Sequence, residues 1–397
     1  MRLKVIRPVA MLMSAFALLA AGASGAFAHG FFFGHHHHQH PLPPPPPPPP
    51  PSTFTNAVFF NGASLSHQTP HGSETLTNPD DISYGDGHIF TCFQNGVGAQ
   101  GQASSTGNLD STVVELTRSG QATAQWDILG KCDGLTVDPD SGLVYATVNE
   151  DANSSLYTIA PWSATITHYA YNEPLPHAGG TDAISFYGHL TLISASAPGT
   201  TGTTPAPNAG FPAVYELSLD PATGIATVAP LFFDEASATL ANAGPGFGSS
   251  IQLALTDPDS NEDVPFYAQR FGGEFMETSQ GDQQQIFLAR ADSPWQTLSV
   301  LDLSASVDDT VWPSDSSGTI YTTDNSADTI DAITGPFAVG SELAAVTPCD
   351  SNNAPATCPG PGFPANYLGE IDPWTGKITA LSVSGPGVAP QGMLFLP

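Results

Sequence analysis

One repeated feature limits what this chain can fold into. Short stretches open on aspartate and run on as alternating or continuous apolar residues, at Asp81 (DDIS), Asp133 (DGLTV), Asp182 (DAISF) and Asp309 (DDTVW). Period-2 alternation of this kind marks strands. The first three stretches lie about 50 residues apart, and the interval from Asp182 to Asp309 has room for two units, the hidden one placed at GSSIQLALTD near Ser249. PQGMLFLP at the C-terminal end has the same shape with Gln391 in the aspartate place. A second mark is Asp-Pro-x-x-Gly, at Asp138–Gly142, Asp220–Gly224 and Asp372–Gly376, with Asp257-Pro258-Asp259-Ser260 lacking the final glycine. Proline presets the turn and glycine supplies the left-handed residue that closes a hairpin. Strands and hairpins repeating at this period predict an all-β propeller.

The stretch CDGLTVDPDSGLVYAT (132–147) resembles the blade-opening run of NHL-repeat and SMP-30/gluconolactonase-type propellers, and PDDISYGDGHIFTC and DDTVWPSDSSGTIYTTD resemble it more loosely. The resemblance spans about residues 57–397 and concerns architecture. It implies six blades, with seven as the alternative. Blades are expected at 79–128, 130–174, 176–233, 240–303 and 305–384, with a sixth joining 386–397 to 54–76. Segments 197–212, 259–284 and 335–366 read as loops.

Residues 1–28 read as a secretory signal: basic Arg2, Lys4 and Arg7, an apolar run, then Ala26-Phe27-Ala28. No later run is long enough to span a membrane. Of eight Lys and Arg, three lie in this leader, leaving five against 37 Asp and Glu. Such a surface repels nucleic acid and anionic membranes and attracts cations. A secreted or periplasmic protein is expected. Four cysteines suit an oxidising compartment. Cys349 and Cys358, close together in a Pro/Asn/Gly loop, are expected to pair, and Cys92 could meet Cys132 on one propeller face.

Residues 29–53 form a His- and Pro-rich segment ahead of a domain at 54–397. His29, His35, His36, His37, His38 and His40 offer imidazoles suited to Cu, Ni or Zn. The ten prolines between Pro41 and Pro51 form a stiff spacer of roughly 30 Å at ~3.1 Å per residue. Asp81, Asp133, Asp182 and Asp309 open inner strands and so face one channel mouth. Carboxylates gathered there suit Ca²⁺; equally, they can cap turns or bond blade to blade. Asp133-Gly134-Leu135 matches one metal-ligand position of SMP-30-type lactonases, while the opening Glu-Gly-Pro motif of that family is missing. The expected function is that of an exported binding or scaffold protein, taking a protein or small-molecule ligand on a propeller face, with a metal-chelating tail. The alternative is a divalent-metal-dependent lactonase or related hydrolase.

Overall fold

A computed structural model describes residues 53–172, 174–177, 179–196, 210–291, 293–350 and 365–397. The six tail histidines, the poly-proline run and Cys358 lie outside the described residues. Within them the chain is all-β; the helical element is one 3-10 turn, Gly62–Ser64, and no helix is long and apolar enough to cross a membrane.

The strands form a β-propeller of antiparallel ladders around an axis. The first ladder runs Pro79–Gly85, His88–Phe93, Asp110–Thr117, Ala122–Leu129. The second runs Cys132–Val137, Val144–Val148, Ser155–Ala160, Thr165–Tyr171, and the third Ile184–Tyr187, Leu190–Ser194, Pro212–Asp220, Ile225–Phe233. Their outer strands touch, Ala170 and Tyr171 pairing in parallel with Ile225 and Ala226. The fourth is Pro258–Asp263, Phe275–Ser279, Gln284–Ala289, Thr297–Asp302, extended outward by Ser237–Leu240 and Ser250–Gln252.

Burial follows position in the ladder. His88–Phe93 is buried on both faces beyond its first residue, because neighbouring ladders cover it on either side, whereas the outer strand Ala122–Leu129 alternates as a half-solvated strand must. Six apolar clusters each lie across one pair of adjacent ladders. Phe90, Trp126, Leu135 and Val144 join the first to the second, for example, and Phe60, Ile82, Ile89, Tyr321 and Leu396 join the last to the first. The inner strands follow one another around the axis, Met393–Leu396 returning to lie against Pro79–Gly85.

Closure differs from the expected arrangement. The inner strand Val307–Val311 pairs not with the strand that follows it but with Glu342–Val346, and that ladder continues through Tyr367–Ile371 and Ile378–Ala380. The intervening hairpin, Thr319–Asp324 with Thr329–Thr334, crosses to the sixth ladder. There it sits between Met393–Leu396 on the inside and Phe54–Asn61 on the outside, and Val383–Ser384 adds an edge beyond that. Both ends of the described chain do complete one ladder, as expected. Its middle strands, however, come from within the segment assigned to blade five, and Ser66–Thr69 with Gly72–Thr75 stands apart as its own hairpin.

A second correction concerns the fourth unit. Its inner strand is Pro258–Asp263, not the stretch near Ser249, which forms the outermost edge. Segment 259–284 is therefore half strand, and Asp257–Ser260 is a strand entry with no hairpin turn. The complete Asp-Pro-x-x-Gly copies do turn as expected. Gly142, Gly224 and Gly376 have φ of 71°, 68° and 70° and donate to the carbonyls of Asp138, Asp220 and Asp372. Each aspartate also accepts from the N–H two residues on, at 2.9 Å. These turns join first to second or third to fourth strands, so they lie on the face opposite the strand entries.

Candidate functional site

The entries of the inner strands share one backbone irregularity. In the first, second, fourth and fifth ladders the register slips just after the first paired residue, between Pro79 and Ile82, Cys132 and Leu135, Pro258 and Asn261, and Val307 and Thr310. Such a bulge swings the residues inside it off the ladder. The first residue inside each is aspartate: Asp80, Asp133, Asp259 and Asp308. Asp182 takes the same place before Ile184–Tyr187, where the Ser194 N–H donates to Ala183, and Gln391 takes it before Met393. One side chain per ladder, five aspartates and one glutamine, thus rings the axis.

The second residue inside the bulge does different work. Asp81 accepts from Ile82 N–H with Oδ1 and, across the interface, from Leu135 N–H with Oδ2, both at 2.6 Å. Asp309 repeats this with Thr310 at 2.7 Å and Met393 at 2.6 Å. These carboxylates stitch ladder to ladder, the structural role open to them from the sequence. The residue before each cross-ladder donor is glycine, since space is tight there: a Cβ on Gly134 would lie 2.4 Å from the Asp182 carbonyl oxygen. Of the four expected ring residues, Asp133 and Asp182 stand in the ring. Asp81 and Asp309 stand one residue beyond it, beside the true members Asp80 and Asp308. Asp259 belongs to the ring as well.

The ring opens into a cavity of about 670 Å³. Its charged lining is acidic apart from one lysine, and its apolar lining includes Ile82, Leu135, Ile184, Phe186, Val311 and Met393. Lys131 is the lysine. Its Nζ lies 2.8 Å from Asp133 Oδ1 and also meets Glu150 Oε1. Burial pushes the Lys131 ammonium down, but Asp133, Glu150 and Asp80 hold it well above the usual lysine value, so it stays charged and is no nucleophile. Gln94 Nε2 adds a bond of 3.2 Å to the same Asp133 oxygen, leaving Asp133 Oδ2 buried without a hydrogen-bond partner. Gln391 Oε1 and Ser260 Oγ are likewise buried and unpartnered in the cavity wall.

Burial, and then mutual repulsion, raises the ring carboxyls. Asp80, Asp133, Asp182, Asp259 and Asp308 are all shifted well above the ordinary aspartate value, chiefly by desolvation. Behind the ring, burial and Asp309 push Asp81 up to about 8 against the pull of its two N–H donors. Asp309 is raised to about 6 by burial, and Glu262 shares a side-chain hydrogen bond with it. Asp257 rises to about 7 through burial and Glu150. The site holds more protons near neutrality than its composition suggests, and it is short of positive charge.

For a metal the ring fits poorly. Among the described residues no three His, Cys, Asp or Glu side chains converge as ligands on one ion. The ring members come from separate ladders and surround an open space, while Asp81 and Asp309 spend both oxygens on backbone N–H groups.

Cys92, in the second strand of the first ladder, is bonded to Cys132 at the entry of the second, their Cα atoms 6.4 Å apart. The bridge fastens the residue next to Asp133. Cys349 is also disulfide-bonded; its expected partner Cys358 lies outside the described residues. His177 is fully buried, its ring bonded to Tyr215 Oη and the Gly180 carbonyl at 2.6 Å each, and burial lowers it to about 4. It packs the third ladder and faces no cavity.

No protein-family model and no curated protein matches the chain. Among solved structures it is similar to the periplasmic gluconolactonase PpgL of Pseudomonas aeruginosa, at 12% identity and TM-score 0.42, over 87% of this chain and 99% of that one. It is also similar to a streptogramin B lyase, at 12% identity and TM-score 0.40, over 85% and 76%. A third is the WD40 domain of Toxoplasma gondii coronin, at 8% identity and TM-score 0.36, over 71% and 64%. Each is a low-identity likeness of fold and extends to nothing further.

Proposed function

We propose that this is an exported binding protein whose propeller captures cationic ligands in the acidic mouth of its axis. The observation supporting this reading is the ring itself: five aspartates in one register, Asp133 and Asp182 buried and Asp80, Asp259 and Asp308 half-buried, opening on a cavity of about 670 Å³ with Lys131 as the cation among its lining residues. Apolar walls carrying a few convergent polar groups are what ligand pockets of this size offer. The leader implies export, and the histidines between His29 and His40 offer imidazoles for Cu, Ni or Zn. Thermal unfolding with a panel of cations (CaCl2, MgCl2, organic amines) at matched ionic strength and pH 8 tests the cavity. At least one is expected to stabilise the protein saturably, and Asp182→Asn with Asp259→Asn is expected to abolish the effect. If no cation exceeds NaCl, the reading fails.

A hydrolase of the metal-dependent lactonase type is the second reading. It is supported by Asp133-Gly134-Leu135, which resembles one metal-ligand position of that family and opens on the cavity. Turnover of a sugar lactone that requires added Ca²⁺ and is lost in Asp133→Asn would place this reading first.

A further inference from the structure

Among the described residues no three side chains of the acidic mouth converge on one metal ion, and this bears on ligand class. We propose, on the reading that the cavity binds cations, that its ligand is an organic polycation: a linear diamine or polyamine whose ammonium groups are separated by methylenes.

Lys131 shows how the site takes an ammonium group. One Nζ is shared between two carboxylates, Asp133 and Glu150, from the second ladder, and its alkyl stem stays within the protein. The other ring aspartates offer carboxyls without an ion-paired cation. Asp80, Asp182, Asp259 and Asp308 line the same cavity, and Asp308 accepts a neutral bond of 2.8 Å from Gln280 Nε2. No ion pair involves these four among the described residues. Asp133, 3% exposed, turns its unpartnered Oδ2 toward the same space, and Gln391 offers a buried unpartnered carbonyl oxygen. Acceptors without an ion-pair partner therefore stand at several points around the ring.

Between these polar points the wall is aliphatic: Ile82, Leu135, Ile184, Val311 and Met393. A hydrated divalent ion has no use for such a wall, and it needs several oxygens within ~2.6 Å of one centre. A methylene chain gains from apolar burial, and each ammonium carries three donors for carboxylates placed apart. A monoamine could satisfy one pair and would leave the opposite carboxylates unpaired.

Calorimetric titration of the mature protein at pH 8 and fixed ionic strength decides between the classes, with 1,4-diaminobutane, spermidine, butylamine and CaCl2 as probes. The diamine and spermidine are expected to bind at one site per chain at least tenfold more tightly than butylamine, since one added charge-assisted bond is worth about tenfold or more. Asp182→Asn is expected to cost roughly tenfold in diamine affinity. It replaces a ring carboxyl by an amide of the same shape, so it keeps the fold. Lys131→Met, which frees Asp133 and Glu150, is expected to tighten spermidine binding, which a merely structural lysine would not do. Three results overturn the proposal while leaving a cation-binding mouth intact: Ca²⁺ binding as tightly as the diamine, butylamine matching the diamine, or diamine binding indifferent to Asp182→Asn. Failure of every probe to bind overturns the cation-binding reading itself.

Discussion

Stability is expected to fall as pH rises from about 4.5 to 8, opposite to the common behaviour of a protein whose carboxylates are paired. Glu342 sets the magnitude. It is 3% exposed and accepts a bond from Gln285 Nε2, and burial raises its carboxyl from 4.5 to about 7. Between those values the folded state keeps a proton that the unfolded chain has released. The folded state therefore binds more protons, and each pH unit costs about 1.4 kcal/mol per group. Over its window Glu342 costs on the order of 3 kcal/mol. Asp81, raised to about 8 but partly exposed, adds on the order of 2 kcal/mol once solvent screening is allowed for. A loss near 5 kcal/mol corresponds to a fall in Tm of about 7 °C for a domain of roughly 340 residues. Asp220, Asp315 and Asp372 do not mask the trend. Hydrogen bonds in their turns hold them below the usual value, so their contribution is lost only as pH falls below about 4. Calorimetric melting from pH 4.5 to 8.5 at constant ionic strength measures the slope, and Glu342→Gln is expected to reduce it by about one proton. A Tm that is flat or rises across this range would refute the burial argument.

Three other outcomes are expected. Deleting 391–397 removes the buried Met393 and Leu396 and the Met393 N–H that Asp309 accepts, leaves Thr319–Asp324 as a bare edge, and is expected to give aggregated or unfolded protein by light scattering; an unchanged Tm refutes this closure. Breaking Cys92–Cys132, which closes a loop of 40 residues, is expected to cost about 4 kcal/mol of chain entropy and to lower Tm more than it alters the folded spectrum; a Cys92→Ala/Cys132→Ala protein with the parental Tm refutes it. Titration of Cu²⁺ against the mature chain and against a version starting at Ser52 is expected to show high-affinity binding only in the former, weakening as the imidazoles protonate below about 6.5; equal binding in both moves the metal into the propeller.

Much of the architecture was legible because strand period and turn chemistry act locally. Leu135, Val137 and Val144 read as a hairpin around Asp138–Gly142 because alternation and a left-handed glycine fix it within a few residues. The site was legible to within one residue. Asp80-Asp81 and Asp308-Asp309 offer two carboxylates each, and only the bulge, which depends on pairing with a neighbouring strand, decides which enters the cavity and which bonds the next ladder. Asp259 was hidden by Asp-Pro-Asp-Ser, which carries turn residues but lacks the glycine that closes the true turns. Lys131 left a signal that was overlooked: in a mature chain with five basic residues, a lysine two positions from a ring aspartate needs a reason. The crossing of 319–334 left none, since a hairpin has the same local sequence whichever ladder receives it.

That crossing has a consequence for the ancestry of the chain. Propellers change size by copying or losing one blade, which is harmless where a blade is one unbroken run of sequence, as the first three ladders here are. The fifth and sixth are woven together. Copying 307–346 would duplicate parts of both and complete neither, and the Asn56–Asp331 bond spans 275 residues of separation. This joint acts as a lock on the repeat number. Descendants can trade whole blades among the first ladders, but the last two can only be inherited as a pair.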